Sequence, residues 1–273
     1  QEVIARARKI LREVENIANL ARNLTAEQEG TLSIATTHTQ ARYVLPEVIK
    51  AFRERYPKVV LELHQGTSEQ IAELVSTNKV DFAIATGSRH LFTQLTLLPI
   101  YDWYRIVLVP QDHPLAQSQS PLELKTLADY PLVTYLFSLT GESSFKRAFR
   151  EQGLEPRVVF TARDADVIKT YVRMGMGVGV IASMAYECED QKDLKAIDAS
   201  GLFPKVTTWL GFPRDMVLRS FMVDFIHLLA PHYSRRLIRD ASQAETQEAL
   251  DELLKDVELP VRGGCDSDAA AAA

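Results

Sequence analysis

The sequence predicts an α/β protein with two lobes, a cleft between them and a helix in front. Strand-like and helix-like segments alternate from about residue 30 to residue 101, and the alternation starts again beyond that point. Such alternation is typical of parallel or mixed sheets covered by helices. A last strand and helix, near residues 207–231, are placed to return to the first lobe. The chain has 273 residues, 46% of them apolar, which is enough for two cores.

The opening residues predict a helix that packs along a partner helix. Apolar residues recur there at alternating spacings of four and three, the pattern of a narrow seam between paired helices. We call them the apolar seam: Val3, Ala7, Ile10, Val14, Ile17 and Ala21. An ordinary amphipathic helix that lies on its own domain stays open as the alternative. The polar stretch Leu24–Gly30 then predicts a turn at a domain boundary.

The remaining elements follow from apolar runs and the residues between them. In the first lobe the predicted order is strand "TLSIAT", helix "PEVIKAFRERYP", strand "VVLELHQG", helix "SEQIAELVSTNK" and strand "VDFAIAT". In the second it is strands "RIVLVP" and "PLVTY", helix "ESSFKRAFREQG", strand "RVVFTA", helix "DADVIKTYVRMG" and strand "VGVIAS". A charged stretch through Lys255 predicts one more helix.

These elements divide the chain at residues 29, 101, 206 and 260. We predict a helix and turn at 1–29, subdomain I at 30–101 plus 207–260, subdomain II at 102–206, and a tail at 261–273. Asp164 or Asp166 is expected to cap the helix after it. Gly175, in "MGMGVGVIA", follows that helix and precedes a strand, which predicts a helix C-cap and tight turn rather than a dinucleotide loop.

Composition excludes several classes of function. The net charge of −5 argues against nucleic-acid binding by this chain alone, because such binding requires clustered Lys and Arg. Cys188 and Cys265 are too few and too far apart for a disulfide framework or a zinc cluster, so a reducing cytoplasm is favoured. No apolar run is long enough to span a membrane. Because the chain starts at Gln1 in mid-helix, we expect an N-terminal part to be missing.

Hydroxyl and amide side chains gather where strands are predicted to end. Thr36, Thr37, Thr39 and Gln40 fill four of five positions after the first strand. Ligands in open α/β sheets bind beyond the carboxyl ends of strands. Four such groups exceed what a helix cap needs, although capping stays open for any single Thr. Further hydroxyls stand at Thr86 and at Ser138 and Thr140, so the sequence predicts a polar pocket for a carboxylate- or sulfate-sized anion.

Catalytic and metal-binding patterns are not found in the sequence. The 6 histidines have no H-E-x-x-H spacing, and no G-x-S-x-G motif occurs. His38, beside the threonines, is the one candidate base, but no nucleophile motif accompanies it. We therefore expect a protein that is not an enzyme and that uses no metal or cofactor.

Several stretches resemble the effector-binding part of LysR-type transcriptional regulators. They include "GTLSIATTHTQARYVLPEVIKAFRERYP", "VDFAIAT", "PLVTY", "LTGESS" and "VVFTARDADVIKTYVRMGMGVGVIASMA". The resemblance covers about Gly30 to Pro231 and is strongest to the CysB/Cbl-like branch, whose members regulate sulfur assimilation. It implies two Rossmann-like subdomains of the type 2 periplasmic-binding-protein kind. It also implies a linker helix, dimers or tetramers, and promoter DNA held by an N-terminal domain that this chain lacks.

The resemblance further implies an effector and the residues that bind it. The effector is N-acetylserine, O-acetylserine or sulfate. The matching positions here are Thr37, Thr39, Gln40, Thr86, Trp103 and Thr140. The chain departs from the family around Gly87–Thr93, at the rim of the expected pocket. Two other classes stay open: a solute-binding protein of a transporter for a small anion, and an enzyme on the same fold.

Overall fold

The computed structural model describes residues 2–24, 29–86, 89–118, 120–140, 143–214 and 216–265 of the chain. They form two compact units. Unit 1 is Gln1–Tyr101 with Thr208–Pro260, and unit 2 is Asp102–Thr207 with Val261–Ala273. The described part of the predicted tail, residues 261–265, therefore belongs to unit 2, and the opening helix belongs to unit 1. The predicted turn at Leu24–Gly30 falls largely on residues 25–28, which lie outside the described residues.

The strands and helices follow the predicted alternation. The strands are β1 Gly30–Thr36, β2 Val59–Gln65, β3 Phe82–Thr86, β4 Leu95–Trp103, β5 Arg105–Pro110, β6 Leu132–Tyr135, β7 Val158–Ala162, β8 Val178–Ala182, β9 Leu194–Asp198 and β10 Val206–Pro213. The helices are α1 Glu2–Leu24, α2 His38–Tyr43, α3 Leu45–Arg55, α4 Ser68–Ser76, α5 Pro114–Gln117, α6 Leu124–Ala128, α7 Ser144–Glu151, α8 Ala165–Arg173, α9 Ser220–Leu229, α10 Arg235–Ser242 and α11 Gln247–Leu253.

Unit 1 contains a mixed sheet in the order β2-β1-β3-β10-β4. β1 pairs in parallel with β2 and β3, whereas β10 runs antiparallel to β3. The late strand β10 and helix α9 thus return to the first sheet, as the sequence predicts. Phe52 on α3 packs edge-on against Phe221 and Phe225 of α9, at ring-centroid distances of 6.4 and 5.5 Å. Each fully buried ring stabilises the unit by about 2–3 kcal/mol.

Unit 2 contains a second mixed sheet in the order β7-β6-β8-β5-β9. β6 is parallel to β7 and β8, and β5 is antiparallel to β8 and β9. Phe145 and Phe149 of α7 pack with Phe203 in its core. Two mixed sheets, each covered by helices, agree with the predicted α/β fold class.

Local sequence signals place several helix ends correctly. The Asp164 carboxylate accepts from Val167 N at 2.8 Å and caps α8, and Gly175 turns the chain after that helix with φ +73°. Pro46 lies in the first turn of α3, where its missing N–H is not needed.

Two predicted helices differ from those observed. A separate short helix, α2, precedes α3. The sequence did not predict it, because the six residues from His38 are too few to show a periodic pattern. The charged stretch near the C-terminus forms α10 and α11 rather than one helix. Thr246 starts the second, its Oγ1 accepting from Ala249 N at 3.1 Å.

The sequence did not predict that its two cysteines pair with each other. Cys188 and Cys265 form a disulfide, with Cα atoms 5.0 Å apart and a sequence separation of 77. The partner segment is brought there by the backbone: Val261 bridges Asp102, and Cys265 N donates to Tyr186 O at 3.1 Å. None of the described helices combines the length and the apolarity needed to cross a membrane.

Candidate functional site

The predicted residues of unit 1 lie at the carboxyl ends of its parallel strands. β1 ends at Thr36 and β3 at Thr86, and the two strands are neighbours. Thr36 itself is fully buried, and its Oγ1 donates to Ile84 O at 3.0 Å. It therefore joins the two strands and has no proton left for a ligand.

Thr37 and Thr39 are half-buried, and their hydroxyls have no hydrogen-bond partner among the described residues. Thr37 occupies the N-cap position of α2, yet its side chain makes no capping hydrogen bond. In the part of the chain that the structure describes, neither hydroxyl bonds to another protein group. The capping alternative is thereby excluded for Thr37. Both hydroxyls are free to donate to a bound molecule.

Gln40 is only 1% exposed and lies at the centre of a polar cluster. Its Nε2 donates to Thr86 Oγ1 at 3.4 Å and to Thr208 Oγ1 at 3.5 Å. Its Oε1 accepts a hydrogen bond from the Tyr101 hydroxyl. The amide is thus held at both ends, so Gln40 orients Thr86 rather than offering a free donor.

Thr208 and Tyr101 are members of this cluster that sequence reasoning missed. The hydroxyls of Thr208 and Thr86 lie 3.3 Å apart, across the antiparallel β3–β10 pair. Both residues lie near strand ends, in "TTW" and "YDW", and this was the only sequence feature that could have suggested a role in the site. Nothing in the sequence shows that these stretches contact Gln40.

The predicted residues of unit 2 are Trp103 and Thr140. Trp103 is 3% exposed, and its Nε1 is buried and has no hydrogen-bond acceptor among the described residues. Thr140 is exposed and follows a 3₁₀ turn, and its Oγ1 donates to Phe137 O at 3.1 Å. Since a hydroxyl has a single proton, Thr140 serves a ligand as donor only if it gives up this bond.

His38, the candidate base, begins α2. Its Nδ1 is buried and, in the described ranges, has no hydrogen-bond partner. A catalytic base needs a group that orients it and a nucleophile within hydrogen-bond reach. Among the described residues, Nδ1 has no hydrogen-bond partner that would orient the ring.

Comparison with known proteins decides the family. A family model described as the LysR substrate binding domain matches residues 25–234. The chain belongs to the LysR family of transcriptional regulators. It is 42% identical over 262 residues to the HTH-type transcriptional regulator CysB of Haemophilus influenzae, covering 96% of this chain and 80% of that protein. It is also 42% identical over 245 residues to the regulator cbl of Escherichia coli K12, covering 90% of this chain and 77% of that protein.

Solved structures of LysR-family proteins share this fold. The cofactor-binding domain of the Cbl regulator has a TM-score of 0.73 and 42% identity, and the match covers 79% of this chain and 95% of that one. The reduced form of OxyR, at 20% identity, has a TM-score of 0.62 over 75% of this chain and 96% of that one. This LysR-family chain is therefore a CysB/Cbl-like effector-binding domain, and the relatives named here are transcriptional regulators rather than enzymes.

Proposed function

We propose that this chain senses a small anionic effector and controls genes of sulfur assimilation and cysteine biosynthesis. The effector is N-acetylserine, O-acetylserine or sulfate. The observation that carries the proposal is the pair of unpaired hydroxyls at Thr37 and Thr39, at the strand edge where α/β sheets bind ligands. The likeness to CysB and Cbl supports the assignment to sulfur control.

The six predicted residues are proposed to take different parts in binding. Thr37, Thr39 and Trp103 donate directly, because their donors have no protein partner in the described chain. Gln40 holds Thr86 so that the Thr86 hydroxyl proton can turn to the ligand. Thr140 takes a smaller part, since its proton is used by Phe137 O.

The chain is proposed to work as the sensing part of a cytoplasmic homodimer or homotetramer. With a net charge of −5 it is a poor partner for a polyanion, so promoter DNA is held by another domain of the regulator. Effector binding acts on DNA only if it favours one conformation over another.

Titration calorimetry tests the effector assignment. The parent protein is titrated with N-acetylserine, O-acetylserine and sulfate, and the same titrations are made with Thr37→Val. This change keeps the shape and removes one donor, so affinity should fall about tenfold or more. Thr126→Val, on the exposed surface of unit 2, is the matched control and should bind as the parent does. Equal binding by Thr37→Val would remove Thr37 from the site, and no binding by the parent would reject these effectors.

A further inference from the structure

Arg105, the first residue of β5, is a buried cation that the predicted site did not include. It is 3% exposed. Its guanidinium carbon lies 5.7 Å from the ring centre of Trp103 and 5.8 Å from that of Phe203. Its Nη1 donates to Ser144 Oγ at 2.8 Å, and its Nε is buried and has no acceptor in the part of the chain that the structure describes. Across the described residues, no carboxylate forms an ion pair with it.

An unpaired buried charge is costly, so this arrangement needs an explanation. Moving an isolated ion out of water costs far more free energy than cation–π contacts with aromatic rings supply. Buried charges are therefore normally paired with an opposite charge. Burial lowers the pKa of Arg105 to about 10, against a smaller opposing effect of Tyr135. The side chain therefore keeps its charge at neutral pH. A water molecule could accept from Nε but would not neutralise the charge.

Arg105 lies at the edge of unit 2 where ligands are expected. In the antiparallel β5–β8 pair, Arg105 is opposite Ala182, the last residue of β8. β6, parallel to β8, ends at Tyr135. The start of β5 is thus at the carboxyl ends of the parallel strands, the ligand-binding edge of an open α/β sheet.

A second unpaired donor lies beside it. Trp103 Nε1 is also buried without an acceptor among the described residues, and its ring is one of the two that face the Arg105 guanidinium. Both groups can only donate, so their common complement is a group that only accepts. A carboxylate or sulfate is such a group and also carries the missing negative charge.

We propose that Arg105, with Trp103, binds the oxyanion of the effector and is the residue that makes this domain select anions. The inference rests on the proposed function, because it concerns the same effector. It adds what the other residues lack. Threonine, glutamine and tryptophan side chains are neutral and bind a carboxylate and its amide with little distinction. Only Arg105 supplies a charge that separates them.

The test compares charged and neutral ligands. Titration calorimetry is run with N-acetylserine, its neutral analogue N-acetylserinamide, and sulfate, which separates a carboxylate source from an inorganic one. The parent should bind at least one of the anions about tenfold or more tightly than the amide. In Arg105→Met this preference should collapse to about one, while binding of the amide stays at the parent's level. Arg157→Met, an exposed arginine of unit 2, is the matched control and should keep the preference.

Folding of the variants is checked by thermal melting in a buffer without oxyanions. Arg105→Met exchanges an unpaired buried charge for a shorter apolar side chain. Removal of the buried charge offsets the lost packing, so the melting temperature should change little. Arg105→Gln is a second neutral variant, with a polar side chain in place of the apolar one, and it should lose the preference equally. It gives the answer even if the Met variant does not fold.

The outcomes separate the two proposals. A neutral variant that folds and still prefers the anion overturns the role of Arg105 and leaves the proposed function intact. A variant that loses the anion and the amide equally also overturns it, since Arg105 then only shapes the site. A parent that binds none of the three ligands overturns both proposals.

Discussion

The side-chain amide of Gln40 donates to the hydroxyl of Thr86 over 3.4 Å, which ties the segment after β1 to the end of β3. The two residues are 46 positions apart in sequence, yet both lie at the carboxyl edge of one sheet. The Gln40 amide also bonds to Tyr101 and Thr208. A polar network of this kind fixes the direction of each hydroxyl, which is what a binding site requires.

Replacing Gln40 by Leu should therefore reduce stability as well as binding. The change keeps most of the volume but removes the acceptor of Tyr101 and the donor to Thr86 and Thr208. Buried polar groups that lose partners cost about 1–3 kcal/mol, so the free energy of unfolding in urea should fall by that amount. Thr39→Val is the control. Its hydroxyl has no protein partner in the described chain, so stability should change by less than about 0.5 kcal/mol. Equal stability of Gln40→Leu and the parent would show that the network is not structural.

Asp190 in unit 2 is the centre of a buried ion network and should give pH-dependent stability. Its carboxylate bonds to Lys169 Nζ at 2.9 Å and to Arg173 Nη2 at 2.7 Å. Burial alone would raise the pKa of Asp190, but hydrogen bonds from Lys169, Glu187 N and Arg173 outweigh it and hold the pKa below its ordinary value. Since the folded-state pKa is the lower one, the stabilisation is complete above the unfolded pKa and is lost as pH falls through the folded pKa.

Asp190→Asn should accordingly lower the free energy of unfolding by about 3 kcal/mol at pH 7, because it leaves buried Lys169 without its closest carboxylate. Urea unfolding at steps from pH 7 to pH 3 measures the difference from the parent, which should shrink below about pH 4. Asp193→Asn removes an exposed partner of Arg173 and is the control, with a loss of at most about 1 kcal/mol. A difference that does not change with pH would mean that the charge of Asp190 is not what stabilises unit 2.

Structural features that depend on residues close together in sequence were predictable, and features that depend on residues far apart in sequence were not. The Asp164 cap and the Gly175 turn each involve residues a few positions apart, so local patterns reveal them. The alternation of strands and helices is local in the same sense. The Cys188–Cys265 pairing spans 77 positions, and Gln40 and Thr208 are separated by 168.

Arg105 shows the same limit for the site. In the sequence it is an arginine at the start of a predicted strand, and a charged residue at that position is expected to be exposed to solvent. Only the folded unit shows that it is buried, that Trp103 faces it and that no carboxylate among the described residues pairs with it. Burial and missing partners are properties of the packed structure, and a motif does not record them.

The disulfide should stabilise unit 2 by closing a long loop. For a loop of about 77 residues, the chain-entropy estimate is about 4 kcal/mol. The double variant Cys188→Ser, Cys265→Ser should unfold at lower urea concentration than the oxidised parent. The parent in dithiothreitol is the control and should match the variant, because both then lack the cross-link. Thiol titration of the unfolded, unreduced parent should find no reactive thiol, and two reactive thiols would contradict the pairing.

Helix α1 should associate with a second copy through the apolar seam. The seam residues Ile10, Val14 and Ile17 are 65%, 60% and 66% exposed, whereas Asn16 and Asn19 of the same helix are buried. Asn16 Oδ1 accepts from Val217 N at 2.9 Å, so the polar asparagines face unit 1. Apolar side chains left outside in this manner mark an association surface, and their spacing is that of paired helices.

Replacing Ile10 and Val14 together by Asp should therefore lower the oligomer mass in analytical ultracentrifugation, because two charges per helix cannot be buried in the pair. Ser76→Asp adds an exposed charge to α4 of unit 1, outside the apolar seam, and is the control, with no expected change in mass. Circular dichroism should show that the double variant keeps its folded units, since the seam contributes to neither core. If the double variant sediments as the parent does, the seam does not hold the copies together and α1 packs only against unit 1.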